Sequence, residues 1–106
     1  MQITDIHGNK HQLVLGSAVW LDSHLVGRCL RTHNTLIING FVIPHEIRRR
    51  SVGSVVLHAI ERHAHKHSVV HMQIVLPQSQ DVAYQEFFTK HGYKFVNGKF
   101  EKLLLH

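Results

Sequence analysis

Residues 41–61 read FVIPHEIRRRSVGSVVLHAIE. The apolar run Phe41, Val42, Ile43 ends at Pro44, which cannot donate to a sheet ladder and therefore closes a strand. Downstream, the apolar positions are Val52, Val55, Val56, Ala59 and Ile60. Alternating steps of three and one along the chain mark a single buried helical face. Between strand and helix stand Arg48, Arg49, Arg50, Ser51, Gly53 and Ser54. A helix N-terminus presents unpaired N–H groups and the positive end of a dipole, and both favour an anion. Gly53 permits close approach of a ligand to the backbone, and Ser51 and Ser54 add hydroxyl donors. The arginines add forked donors matched to phosphate oxygens. The stretch predicts a strand, a phosphate- or pyrophosphate-binding turn, and a helix.

Two common phosphate loops are excluded. No Gly-Lys-Ser/Thr follows the turn, and the glycine triplet of dinucleotide-binding folds is missing. A solvated cluster of charge is the plain alternative, but it leaves three cations at the unfavourable end of a helix dipole, worth about 0.3–1 kcal/mol each. Working outward, VVHMQIVLP (residues 69–77) predicts a buried strand from its continuous apolar character. DVAYQEFFTKHGY (residues 81–93) predicts a second helix over residues 80–91. Its expected inward side chains are Val82, Ala83, Phe87 and Phe88, with Gly92 as the stop.

These same residues resemble the GNAT acetyltransferase superfamily. Its acetyl-CoA signature is Gln or Arg, two residues, Gly, one residue, Gly or Ala, placed after a strand and opening a helix. Here Arg48 stands first, Ser51 replaces the first glycine, and Gly53 takes the last position. In the second segment Phe87, Lys90 and Gly92 match, while Asp81, Tyr84 and Phe88 stand where Asn, Ala and Tyr are usual. The resemblance implies an α+β domain with a mixed, mostly antiparallel central sheet, two main helices and a C-terminal hairpin. It implies acetyl-CoA as co-substrate, held by Phe41, Val42, Ile43, Arg48, Arg49, Arg50, Ser51, Val52, Gly53, Ser54, Asp81, Phe87 and Lys90. It also implies a pantetheine slot between residues 41–43 and 72–76, opened where a bulged strand splays from its neighbour.

The N-terminal region departs from the family. Residues 2–7 alternate into the Gly8-Asn9 turn, residues 11–21 are rich in β-formers with a bulge or a bend at Gly16-Ser17, and residues 24–31 and 36–43 follow. That predicts four short strands, with no room for the two helices the family places after its first strand. Asn39-Gly40 is compatible with a hairpin turn, but its flanking runs are short, and a bulge within one strand is expected. Asn97-Gly98 predicts a terminal hairpin.

At 106 residues the chain suits one domain, residues 1–106. An apolar content of 43% with a mean hydropathy of −0.09 fits a globular fold. No apolar run reaches the roughly 20 residues of a membrane span, and the N-terminus lacks a signal-peptide pattern. With the lone Cys29 precluding an internal disulfide, a cytoplasmic protein is expected. The net charge of +5 invites a nucleic-acid reading, yet three of the twelve Lys/Arg residues sit in the turn already assigned to a polyanionic ligand. His63 and His67 share a helical face, but no Cys, Asp or Glu completes a ligand set at a fixed spacing, so no metal is expected.

The chemistry implied by the resemblance is direct attack of an amine on a thioester. It needs a base or water relay, a donor to the carbonyl oxygen, and an acid for the thiolate. A backbone N–H at Val42 or Ile43 is the expected donor. The family's acid tyrosine is Phe88 here, so Tyr84, one turn earlier, is the substitute; Glu46, His45 and His33 are candidate bases. The expected activity is acetyl-CoA-dependent N-acyl transfer to an amine. A CoA-binding but idle module and a nucleic-acid-binding protein are the alternatives. A sheet without its usual helices has an open face, so a homodimer is expected.

Overall fold

The computed structural model describes residues 1–44, 51–76 and 82–104. Along the chain come β1 (Gln2–Thr4), β2 (Lys10–Leu15), β3 (Ala18–Leu21), β4 (His24–Thr32) and β5 (Thr35–Asn39). Helix α1 (Val52–Lys66), β6 (His71–Val75), α2 (Val82–Lys90), β7 (Lys94–Val96) and β8 (Lys99–Leu103) follow. Among the described residues the eight strands form one sheet in the order β1-β2-β3-β4-β5-β6-β8-β7. Every neighbouring pair is antiparallel except β5 and β6, which run parallel and are joined through α1. The α+β architecture is the one expected from the sequence.

Turn chemistry explains most of the meander. Asp22 and Ser23 both have positive φ between Leu21 and its partner His24, and Asn97 and Gly98 do the same between Val96 and Lys99. Two consecutive positive φ values give the turn whose twist suits a hairpin. The Gly16-Ser17 bend is a full reversal: Leu15 pairs with Val19 across it. Five strands, not four, therefore precede α1. The connection from β1 to β2 is a turn in which Asp5 Oδ1 accepts from the N–H groups of His7 (2.9 Å) and Asn9 (3.0 Å). The imidazole of buried His11 lies between Asp5 Oδ2 at 3.0 Å and Asp22 Oδ2 at 2.6 Å. Both ring nitrogens thus face carboxylate oxygens, which favours the imidazolium.

Both helices lie on one face of the sheet. Gly53 of α1 abuts the Phe87 ring of α2, and the rings of His58 and His91 are 5.4 Å apart. The core joins Leu13, Val19, Ile38, Met72, Ile74 and Phe100 from the strands to Val52, Val56, Leu57 and Ile60 of α1 and Phe88 of α2. Glu61 fastens α1 to the sheet's far side. Its carboxylate accepts from Tyr93 Oη at 2.6 Å and from Lys102 Nζ at 3.1 and 3.2 Å. Burial, with the Glu61 carboxylate beside it, pushes the Tyr93 phenol well above its ordinary range.

One expectation fails on α2, while the open face expected on the other side of the sheet is present. Val82 is 62% exposed and Ala83 is exposed, whereas Phe88 is fully buried, so the inward face runs through Tyr84, Phe87 and Phe88. The helix is short, and the aromatic side chains packed against Phe41 set its rotation. The face opposite the helices carries Val14, Trp20, Leu30 and Leu103, all exposed, where a β1–β2 turn stands in place of a helix pair.

Candidate functional site

The parallel pair β5–β6 stops for reasons written in both strands. Its register runs from Thr35↔His71 to Asn39↔Val75, and the Gly40 N–H adds one rung to the Val75 carbonyl at 2.7 Å. The next rung would join the Gly40 carbonyl to the N–H two residues beyond Val75. Residue 77 is proline and has no N–H. Gly40 itself turns away with φ 85°, and its carbonyl oxygen occupies the space where a Cβ on Gly27 would sit. Only glycine at 27 lets the two backbones come that close.

On the β4 side the same residue inserts a bulge. Arg28 pairs with Asn39, so an unbroken register would set residue 41 opposite Val26. Instead the Val42 N–H donates to the Val26 carbonyl at 3.0 Å, one residue out of step. The bulge expected at Asn39-Gly40 is present, and residues 41–44 run on past the end of β5. The slot is shorter than expected: residues 72–75 remain paired with β5, so it opens only beyond Val75.

Beyond Gly40 the side chains alternate. Phe41 and Ile43 are buried and Val42 is exposed. Phe41 anchors an aromatic cluster, stacked on Phe87 at 5.8 Å and edge-on to Phe88 at 5.3 Å and Tyr84 at 6.4 Å. The Ile43 N–H donates to the Tyr84 hydroxyl at 3.2 Å, across 41 residues of sequence. Of the two amides expected to meet a carbonyl oxygen, Val42 is therefore committed to β4, while Ile43 lies with Tyr84. Phe88, where the family carries its acid tyrosine, is fully buried beneath Phe41, Tyr93 and Phe100.

Helix α1 begins beside this slot. Ser51 is its N-cap with φ 56° and ψ 18°, a left-handed conformation, and its side chain makes no capping bond. That conformation costs a non-glycine residue roughly 1–2 kcal/mol. Ser51, which replaces the first glycine of the signature, thus holds a conformation that glycine adopts without that cost. No acidic side chain stands in the first turn, whose N–H groups, of Val52, Gly53 and Ser54, are the ones a helix leaves without intrahelical partners. A methyl on Gly53 would lie in ordinary contact with the Phe87 ring, 3.4 Å away, so packing alone does not demand glycine there.

Arg48, Arg49, Arg50, Glu46, His45 and Asp81 lie outside the described residues. Phe41, Ile43, Ser51, Val52, Gly53, Tyr84 and Phe87 are brought to one end of the sheet. Lys90 is not: it is exposed at the C-terminal end of α2, about 9 Å along the helix from Tyr84. His33 is excluded as a base. It occupies the β4–β5 turn, at the opposite end of β5 from Gly40 and about 20 Å from it along the strand. His63 and His67 stack at 4.4 Å, and among the described residues no group of three side chains is placed to hold a metal. No described helix is long and apolar enough to cross a membrane.

The sequence matches no protein-family model and no curated protein. The fold, in contrast, is shared with solved N-acetyltransferase structures. Ard1 from Thermoplasma volcanium superposes with a TM-score of 0.68 at 16% identity, over 85% of this chain and 72% of that one. The PaiA N-acetyltransferase from Thermoplasma acidophilum, in complex with coenzyme A, gives 0.62 at 19% identity, over 81% of this chain and 58% of its own length. An aminoglycoside 6′-N-acetyltransferase complexed with coenzyme A gives 0.62 at 15% identity, over 85% and 74%. The chain thus spans little more than half of PaiA and about three-quarters of the other two.

Proposed function

We propose that this chain, which carries the GNAT acetyltransferase fold, binds acetyl-CoA and transfers its acetyl group to an amine. One observation carries the reading: the β5–β6 pair ends at Gly40 beside the uncapped N-terminus of α1, with the Tyr84 hydroxyl held against the Ile43 amide. Two solved structures of the same fold contain coenzyme A.

In this reading the pyrophosphate rests on the N–H groups of Val52, Gly53 and Ser54, with Ser51 and the side chains of Arg48, Arg49 and Arg50 around it. The pantetheine arm lies along residues 41–43, next to Phe87. The amine attacks the thioester carbon; the carbonyl oxygen gains negative charge, and the carbon–sulfur bond then breaks with release of CoA thiolate. Tyr84 is the proposed acid: its hydroxyl accepts from Ile43 N–H, which places a phenolic proton donor beside residues 41–43. Thiolate leaves readily near its solution pKa of about 8.5, so the acid accelerates the step without being indispensable. Glu46 is the proposed base, and Asp81 borders the nucleotide. A cytoplasmic homodimer completes the proposal, with a second copy covering Trp20 and Leu30 on the open face.

Calorimetric titration with acetyl-CoA, and separately with CoA, tests it. Micromolar binding that weakens at least tenfold in the Arg49→Ala/Arg50→Ala double variant is expected, since two charge-assisted contacts are lost. Unchanged affinity in that variant would place the phosphates elsewhere. The buried Phe88 favours a second reading, a CoA-binding but idle module. Steady release of free thiol from acetyl-CoA in the presence of amines excludes it.

A further inference from the structure

A separate cleft lies at the other end of α1, about 16 Å from Val52 along the helix axis. The last turns of α1, the β2–β3 turn and the middle of β4 enclose about 350 Å³, within the range of about 300–1,000 Å³ typical of small-molecule sites. Its floor is apolar: Leu15, Cys29, Leu36, Ile60, Ala64 and Val69. Its rim is cationic or protonatable, formed by the exposed side chains of Arg31, His63 and His67. Among the described residues that line it there is no Asp or Glu.

A helix C-terminus ordinarily repels anions, because its last carbonyls are unpaired. Here they are answered. The Ala64 carbonyl accepts from His67 and Val69 N–H, both at 3.0 Å, and the His65 carbonyl from Ser68 N–H at 3.1 Å. The His63 carbonyl is bonded by His67 Nδ1 at 2.9 Å. That leaves His67 Nε2 as the other ring nitrogen, while the Arg31 Nε–H donates to the His33 carbonyl at 3.2 Å and steadies the guanidinium at the rim. Partial desolvation, with His67 and Lys66 nearby, lowers the pKa of His63, and an anion beside it acts in the opposite direction by favouring the imidazolium.

We infer that this cleft binds a small apolar carboxylate, its hydrocarbon part over Leu36, Ile60 and Ala64 and its acid group between Arg31, His63 and His67. The site is distinct from the proposed acyl-transfer slot and does not depend on it.

The test is an NMR titration of the full chain with octanoate, following the methyl groups of Leu15, Leu36, Ile60 and Ala64, with 1-octanol as the uncharged control. Saturable shifts at those methyls are expected, with octanol binding at least tenfold more weakly. Arg31→Gln, on an exposed side chain, should weaken octanoate about tenfold and leave octanol unchanged. No saturable shift, equal affinity for the alcohol, or shifts centred on Phe41 and Ile43 would each overturn the inference. Acetyl-CoA titration of the same samples reports separately on the acyl-transfer slot.

Discussion

The two ends of the β5–α1–β6 unit are built on opposite terms. At the closed end, Val70 and His71 N–H both bond the Asn34 carbonyl, at 2.9 and 3.2 Å, and Leu104 N–H bonds Val70. The helix there finishes with its carbonyls paired and Ser68 in the left-handed position, φ 69°. At the open end the strands part after one rung beyond Val75, and a second left-handed serine, Ser51, starts a helix whose first N–H groups have no capping side chain. Similar local strain, about 1–2 kcal/mol, accompanies self-satisfied hydrogen bonding at one end and, among the described residues, uncapped donors at the other. Backbone strain by itself is therefore a poor marker of a site. Strain beside unsatisfied donors is a better one.

The largest expected effect is at Gly27. Gly27→Ala places a methyl group in the space of the Gly40 carbonyl and should destabilise the protein by about 2–3 kcal/mol in urea unfolding. An unchanged midpoint would mean that the open end is not held by this backbone contact. Next comes Tyr84→Phe, which keeps the aromatic packing on Phe41 and removes the hydroxyl. A fall in kcat of about 100-fold with little change in KM for acetyl-CoA is expected of an acid; a change in KM alone would reassign Tyr84 to positioning residues 41–43.

Smaller effects compare the two serines directly. Ser51→Gly and Ser68→Gly should each raise stability by about 1 kcal/mol, because both relieve a positive φ. Only Ser51→Gly should also alter acetyl-CoA affinity, through its lost hydroxyl. Equal calorimetric affinities for both variants would remove the Ser51 side chain from the cradle.

The smallest is a pH effect on the antiparallel side of the open end. The hydrogen bond to Asp5, then that to Asp22, raises the His11 pKa above its ordinary 6.5. Asp5, bonded to His11, is held at about 2. The His11 contribution is complete below pH 6.5 and is lost as pH rises through the raised value; that of Asp5 is present above pH 3.8 and is lost as pH falls toward 2. Melting temperature should thus decline on the alkaline side in the native protein but not in His11→Asn. Parallel pH profiles for the two would show that the imidazolium adds nothing.

Local patterns made much of this legible. The period of Val52, Val56, Ala59 and Ile60 placed α1, and Asn97-Gly98 placed the last hairpin, because both signals lie within a few residues of the structure they specify. The bulge at Gly40 was readable for the same reason. The rotation of α2 was not: Val82 and Ala83 face outward because Tyr84, Phe87 and Phe88 pack on Phe41, more than forty residues earlier. Gly16-Ser17 read as a bend because the flanking strands are each apolar enough to suggest one continuous element. The meeting of Tyr84 with Ile43 depends on where two separate elements dock, and no motif spans them. Gly27 carried no signal in its own neighbourhood: its need for hydrogen instead of a side chain arises from a carbonyl thirteen residues on.

That last contact binds two positions into one heritable unit. Gly27 cannot gain a side chain while the Gly40 carbonyl sits above it, and Gly40 at φ 85° cannot easily take one either. In a saturation mutagenesis library both columns should be nearly empty of alternatives, and single changes should fail together. Escape would require simultaneous substitution with a re-registered strand, so this end of the sheet is expected to drift more slowly than the turns around it.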